Sequence, residues 1–93
     1  MLPDGLSWIY LDRFDQHWLT LDGEYIALVS KRVTGDWLVH VNRQRSMEMR
    51  VTGGAAETLA FGKKMAERWA LANLQRIRRE VAQRIAARPK HRV

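Results

Sequence analysis

The sequence predicts an α+β domain: a three- or four-stranded antiparallel β-meander followed by one long C-terminal α-helix packed on one face of the sheet. Three observations carry this. Short aromatic and β-branched runs separated by turn residues fill residues 1–52. Asp22-Gly23 stands between two such runs, and both residue types tolerate the positive φ of a two-residue hairpin. Residues 55–87 hold no proline and one glycine, Gly62, and are dominated by Ala, Leu, Glu, Lys and Arg, a helix composition.

The elements follow in order. Trp8-Ile9-Tyr10-Leu11 reads as a short strand or a lid, and Trp18-Leu19-Thr20-Leu21 and Tyr25-Ile26-Ala27-Leu28-Val29 as the arms of the hairpin. Thr34-Gly35-Asp36 marks the next turn. Trp37, Val39 and Val41 then share one face, with His40 and Asn42 on the other. Met47-Glu48-Met49-Arg50-Val51 alternates strictly, which predicts a strand with Met47, Met49 and Val51 turned inward. Thr52-Gly53-Gly54 closes the sheet half, and Pro89 ends the helix, leaving 88–93 as a basic tail to a single domain spanning 1–93.

Along the helix, Leu59, Gly62, Met65, Ala66, Trp69 and Ala70 fall on one stripe, its small residues allowing close approach to the strands. The expected core is this stripe with Trp37, Val39, Val41, Met47, Met49 and Val51. A second stripe, Leu74, Ile77, Val81 and Ile85, is rotated by roughly a quarter to a third of a turn. Some 30 helical residues extend about 45 Å, while a six-residue strand spans about 20 Å. The helix either breaks near Asn73 and folds back, or its second half meets another surface. A second copy of the chain, forming a homodimer through Leu74, Ile77, Val81 and Ile85, is the expectation for that surface.

Composition narrows the function classes. The chain has 93 residues, 46% of them hydrophobic, and no cysteine. Disulfides, thiolate catalysis and cysteine-ligated metals are therefore excluded. The longest apolar run, Ile26-Ala27-Leu28-Val29, is far short of a membrane span, and residues 1–5 lack the pattern of a signal peptide, so a cytoplasmic location with no membrane partner is expected. No histidine pair has metal-ligand spacing, and neither a Walker loop nor a G-x-S-x-G elbow is present. Nothing in the pattern points to an enzyme, a cofactor, a metal or a small-molecule substrate. Gly53-Gly54 before a helix could offer amides to a phosphate, but simple turn chemistry is the more common use of such a pair.

Charge is unevenly distributed. The net charge is +6, yet residues 1–42 balance at −3 and residues 43–93 at +9. Arginine dominates the basic half, and its planar fork suits phosphate. The expectation is a non-enzymatic nucleic-acid-binding module that contacts phosphate through its basic C-terminal helix, using Arg43, Arg45, Arg50, Arg76, Arg79, Arg84 and Arg88. The alternative is a protein-interaction or homodimerisation module whose charge serves solubility or an acidic partner. Of the four tryptophans, Trp37 and Trp69 are assigned to the core. Trp18, with Tyr25, admits two assignments, core or a base-stacking platform on an uncovered sheet face.

Overall fold

Asp22 and Gly23 both take positive φ, 51° and 82°, so the two-residue hairpin forms as its sequence requires. It joins the second and third strands of a five-stranded sheet seen in a computed structural model, which describes residues 2–88 and every side chain among them except that of Val51. The strands are β1 (Leu6–Leu11), β2 (Gln16–Leu21), β3 (Glu24–Lys31), β4 (Trp37–Val41) and β5 (Val51–Ala56). Each pairs antiparallel with its neighbours in chain order, a simple meander. Two helices, α1 (Leu59–Ala72) and α2 (Leu74–Ala87), follow and pack on the sheet. The fold class is therefore α+β as the sequence predicts, with five strands rather than three or four and two helices rather than one.

A bulge in the hairpin shapes the core. Leu19 opposes Ala27 and Thr20 opposes Tyr25, so Ile26 is the extra residue on β3. Ile26 and Ala27 are consecutive, yet both are fully buried in the core, because a bulge breaks the strict alternation of faces. A second bulge sits where Val39 opposes Gly54 and His40 opposes Thr52, leaving Gly53 unopposed on β5.

The segment with strict alternation is not a strand. Met47–Met49 forms a 3-10 turn, and Met47 and Met49 are 78% and 53% exposed rather than in the core. The strand is instead Val51–Ala56, where the sequence predicts the end of that strand, a turn at Thr52-Gly53-Gly54 and the start of the helix at residue 55. The reason is steric. Helix α1 passes so close to the sheet that a Cβ on Gly62 would stand 2.9 Å from Val29 Cγ1 and 3.6 Å from Ala56 Cβ. Gly54 and Ala56 are the β5 residues beneath it, and both are small: a Cβ on Gly54 would meet Met65 Cε at 3.5 Å, and Ala56 is buried. Gly54 also takes φ 141°, outside the range of an ordinary side chain. Because 55 and 56 belong to β5, the helix starts at Leu59, capped by Thr58, whose hydroxyl accepts from Phe61 N at 3.1 Å.

Gly62, Ala66 and Ala70 are buried, as the small-residue stripe predicts, and Leu59, Met65, Trp37 and Trp69 pack against the core from its edge. The side chain of Val51 lies outside the described set. At Asn73 the helix breaks: φ is −119° and ψ 17°, and the Asn73 side-chain amide donates to Trp69 O at 2.8 Å, covering a carbonyl at the end of α1. The break reorients α2 so that Ile77 and Val81 enter the same core as Leu6, Leu21, Ile26 and Val41, and Leu74 packs beside them. The second stripe is covered by the chain's own sheet, which removes the premise for covering it with a second copy. Of its four residues, Ile85 is 42% exposed.

Burial and steric fit here generate two expectations. Ile77→Ala removes a fully buried side chain and should cost about 2–5 kcal/mol, while Ile85→Ala should cost under about 1 kcal/mol, read by urea denaturation. Both values should be independent of protein concentration. Gly62→Leu should lower stability by about 1–3 kcal/mol although leucine is the better helix former, because the added volume meets the stiff Val29 side chain. A gain in stability would refute the close approach.

Candidate nucleic-acid interface

With both helices on one side, the other face of the sheet has no covering element among the described residues. Register places Ile9, Trp18, Leu28, His40 and Thr52 across it, one from each strand. Leu28 is only 4% exposed despite facing away from the helices, flanked in register by Trp18 and His40. Trp18 and Tyr25 pair with ring centroids 4.7 Å apart and planes inclined at 35°. The Trp18 indole N–H donates to Gln16 Oε1 at 3.3 Å, which orients the ring, and Tyr25 is 43% exposed. His40 Nδ1 lies 3.3 Å from Thr52 Oγ1. Burial, then the nearby Arg43, lower the pKa of His40 and favour its neutral ring.

At the edge of this face is a cleft of about 120 Å³, lined by Trp18, Glu24, Tyr25, Arg43, Arg50 and Arg84. The arginines come from two places. Arg43 and Arg50 bracket the connection between β4 and β5, and Arg84 reaches in from α2. That connection is held firmly. Asn42 turns it with φ 59°, Arg43 N donates to Ile26 O at 3.0 Å, and Arg50 Nε donates to Arg45 O at 3.2 Å.

Glu80 on α2 fastens the connection to the helix. Its carboxylate accepts from Gln44 Nε2 at 2.7 Å, from Arg45 Nη2 at 2.8 Å and from Arg76 Nη1 at 3.1 Å. Arg76 also donates to Asn42 Oδ1 at 3.3 Å, and Arg84 Nη1 to Gln44 O at 2.9 Å. These donors, Arg45 foremost, hold the Glu80 pKa down at about 2, against an ordinary 4.5. A second carboxylate, the buried Glu24, pairs with Arg88 and, at 3.7 Å, with Arg84.

The seven arginines expected at the interface thus divide. Arg43, Arg50 and Arg84 converge on the cleft. Arg45 and Arg76 are engaged by Glu80, and Arg88 by Glu24. Arg79 lies beside the helix junction with Leu71 and Arg76 and does not line the cleft. Within the cleft, Arg43 and Arg50 have no ion pair to a carboxylate among the described residues. Burial, then Arg50, push the Arg43 pKa below its ordinary value. The tail beyond Arg88 lies outside the described residues. Gly53 and Gly54 lie within β5 rather than at a helix N-terminus.

The Trp18–Tyr25 pair is the feature that the charge pattern misses. A hairpin signal was available for it. Counting back from Asp22-Gly23 sets Thr20 opposite Tyr25, which makes Trp18 the diagonal neighbour of Tyr25 on the same face. Among the described residues no helix is long and apolar enough to cross a membrane. No protein family, curated protein or solved structure matches this chain.

Since Glu80 binds its proton less readily folded than unfolded, the stability it adds is complete above pH 4.5 and is lost as pH falls toward 2. Glu80→Gln should cost about 1–3 kcal/mol at pH 7, and the difference from the parent protein should shrink between pH 4.5 and 2. Urea titrations at several pH values measure it. A constant difference over that range would contradict the assigned role.

Proposed function

We propose that this protein is a binding module for single-stranded nucleic acid, and that the strand lies on the open sheet face rather than along the C-terminal helix. The observation that carries the reading is the Trp18–Tyr25 pair beside Arg43 and Arg50, two guanidinium groups without a carboxylate partner among the described residues. Every base has an apolar π-face, so an aromatic pair on a sheet can stack bases of any sequence. Guanidinium forks match phosphate oxygens and stay charged at any physiological pH. In a duplex the bases are stacked on one another, so an aromatic platform selects single strands. The strongly basic half of the chain adds unspecific attraction for the same partner.

Met47 and Met49, exposed beside the basic connection, favour a second reading, in which this edge of the sheet binds another protein. A titration separates the two. Labelled single-stranded and double-stranded oligonucleotides are followed by fluorescence anisotropy at low and moderate salt. The expected result is preference for the single strand and affinity that falls steeply with salt. Trp18→Ala and Tyr25→Ala should each weaken binding roughly 5- to 150-fold, with circular dichroism showing that the fold persists. Arg43→Ala should reduce the salt dependence, whereas Arg79→Ala should leave binding nearly unchanged. Absence of binding at low salt would eliminate the nucleic-acid reading.

A further inference from the structure

Resting on that reading, we infer that the cleft between Arg43, Arg50 and Arg84 receives the terminal phosphate of the strand, so that the protein binds phosphorylated ends in preference to internal segments. Three features of the cleft point there.

The first is charge. Three guanidinium groups and one carboxylate line the cleft. The carboxylate, Glu24, is buried and held by Arg88 as well as Arg84. Arg43 and Arg50 are therefore left with positive charge that no acidic side chain among the described residues answers. An internal phosphodiester carries one negative charge and two free oxygens. A terminal phosphomonoester carries between one and a half and two charges near pH 7 and offers three acceptor oxygens, about what two unpaired forks can satisfy.

The second is place and size. The cleft lies where the sheet ends, between the β2–β3 hairpin, the β4–β5 connection and the last turns of α2. Its volume of about 120 Å³ suits one phosphate group and its nearest waters, not a length of strand. The aromatic pair forms its side toward the open face, so a phosphate seated there has its own nucleoside next to Trp18 and Tyr25. The Glu24–Arg84 pair, contributed by β3 and α2, stands on the helix side of the cleft.

The third is preorganisation. Arg50 is tethered to Arg45 O and Arg84 to Gln44 O, while Arg45 and Gln44 are themselves held by Glu80. Two of the three guanidinium groups are thus held in place before any anion arrives, and the backbone of the third, Arg43, is fixed to Ile26 O. Burial, and after it the closeness of Arg50, lower the proton affinity of Arg43, and a bound anion would offset both.

The test uses one short oligonucleotide sequence in three forms: with a 5′-phosphate, with a 3′-phosphate and with neither, the fluorophore placed internally. The full-length chain is titrated with each at low salt. One phosphorylated form should bind about tenfold or more tightly than the unphosphorylated one, which also fixes the strand's polarity. Arg43→Lys and Arg50→Lys keep the charge but lose the fork, and each should remove most of that preference while retaining binding of the unphosphorylated strand. Inorganic phosphate should compete for the phosphorylated form more effectively than chloride at equal ionic strength. Equal affinity for all three forms would overturn the terminal-phosphate inference and leave the open-face reading intact. No binding of any form would overturn both. A preference that survives in both lysine variants would place the phosphate elsewhere and overturn this assignment.

Discussion

A helix that ran straight on from Ala72 would carry Ile77 and Val81 past the sheet with nothing beneath them. The break at Asn73 removes that conflict, and the rest of the molecule depends on it. Fully burying two such side chains is worth about 1.5–3 kcal/mol each, more than the loss of one or two helical hydrogen bonds. The reoriented α2 then closes the end of the core above Leu21 and Ile26. In the same movement it presents Glu80 and Arg84 to the β4–β5 connection. The hydrophobic requirement of one helix face thus sets the position of the polar groups on the next face around.

Those polar groups sort the arginines. A basic sequence suggests a uniformly positive surface, yet Glu80 and Glu24 between them engage Arg45, Arg76, Arg84 and Arg88. Positive charge is consumed where it is structurally needed, and of the seven arginines Arg43 and Arg50 are the two that stand at the cleft without an ion pair among the described residues. Formal charge along a sequence is a poor guide to where an anion can bind, because two carboxylates in the right places neutralise several cations through short, partly shielded contacts. The same contacts immobilise the connection, and a rigid support costs a ligand less on binding.

The open face follows from arithmetic of coverage. Two helices stacked on one side of a five-stranded sheet leave the other to itself, and Trp18, Tyr25, Leu28 and His40 then shield one another instead of being shielded by a helix. Leu28, between Trp18 and His40 in register, is buried although no helix covers it. Large flat side chains suit the task, since each covers much of a neighbouring aliphatic residue.

Much of this was legible in local chemistry. Asp22-Gly23 dictated its hairpin because positive φ at two successive residues is cheap for that pair. Alternation at Trp37, Val39 and Val41 identified the buried face of β4, and Gly62, Ala66 and Ala70 identified the contact surface of α1. The two misaligned stripes signalled that something had to change near Asn73. Other features were decided only by packing between distant parts of the chain. Met47 and Met49 alternate like a strand, yet the strand pairing with β4 lies further on, where Gly54 and Ala56 leave room for α1 to approach. Ile77 and Val81 read as an exposed stripe until the break brought them over the chain's own core. The division of the arginines into those engaged by carboxylates and those without such a partner rests on contacts between distant parts of the chain, and Arg45 and Arg84 each reach a partner 35 or more residues away. Spacing along a chain reports which way a side chain faces its immediate neighbours. It carries no distance to a carboxylate on another element, and that distance is what settles the role of each charge.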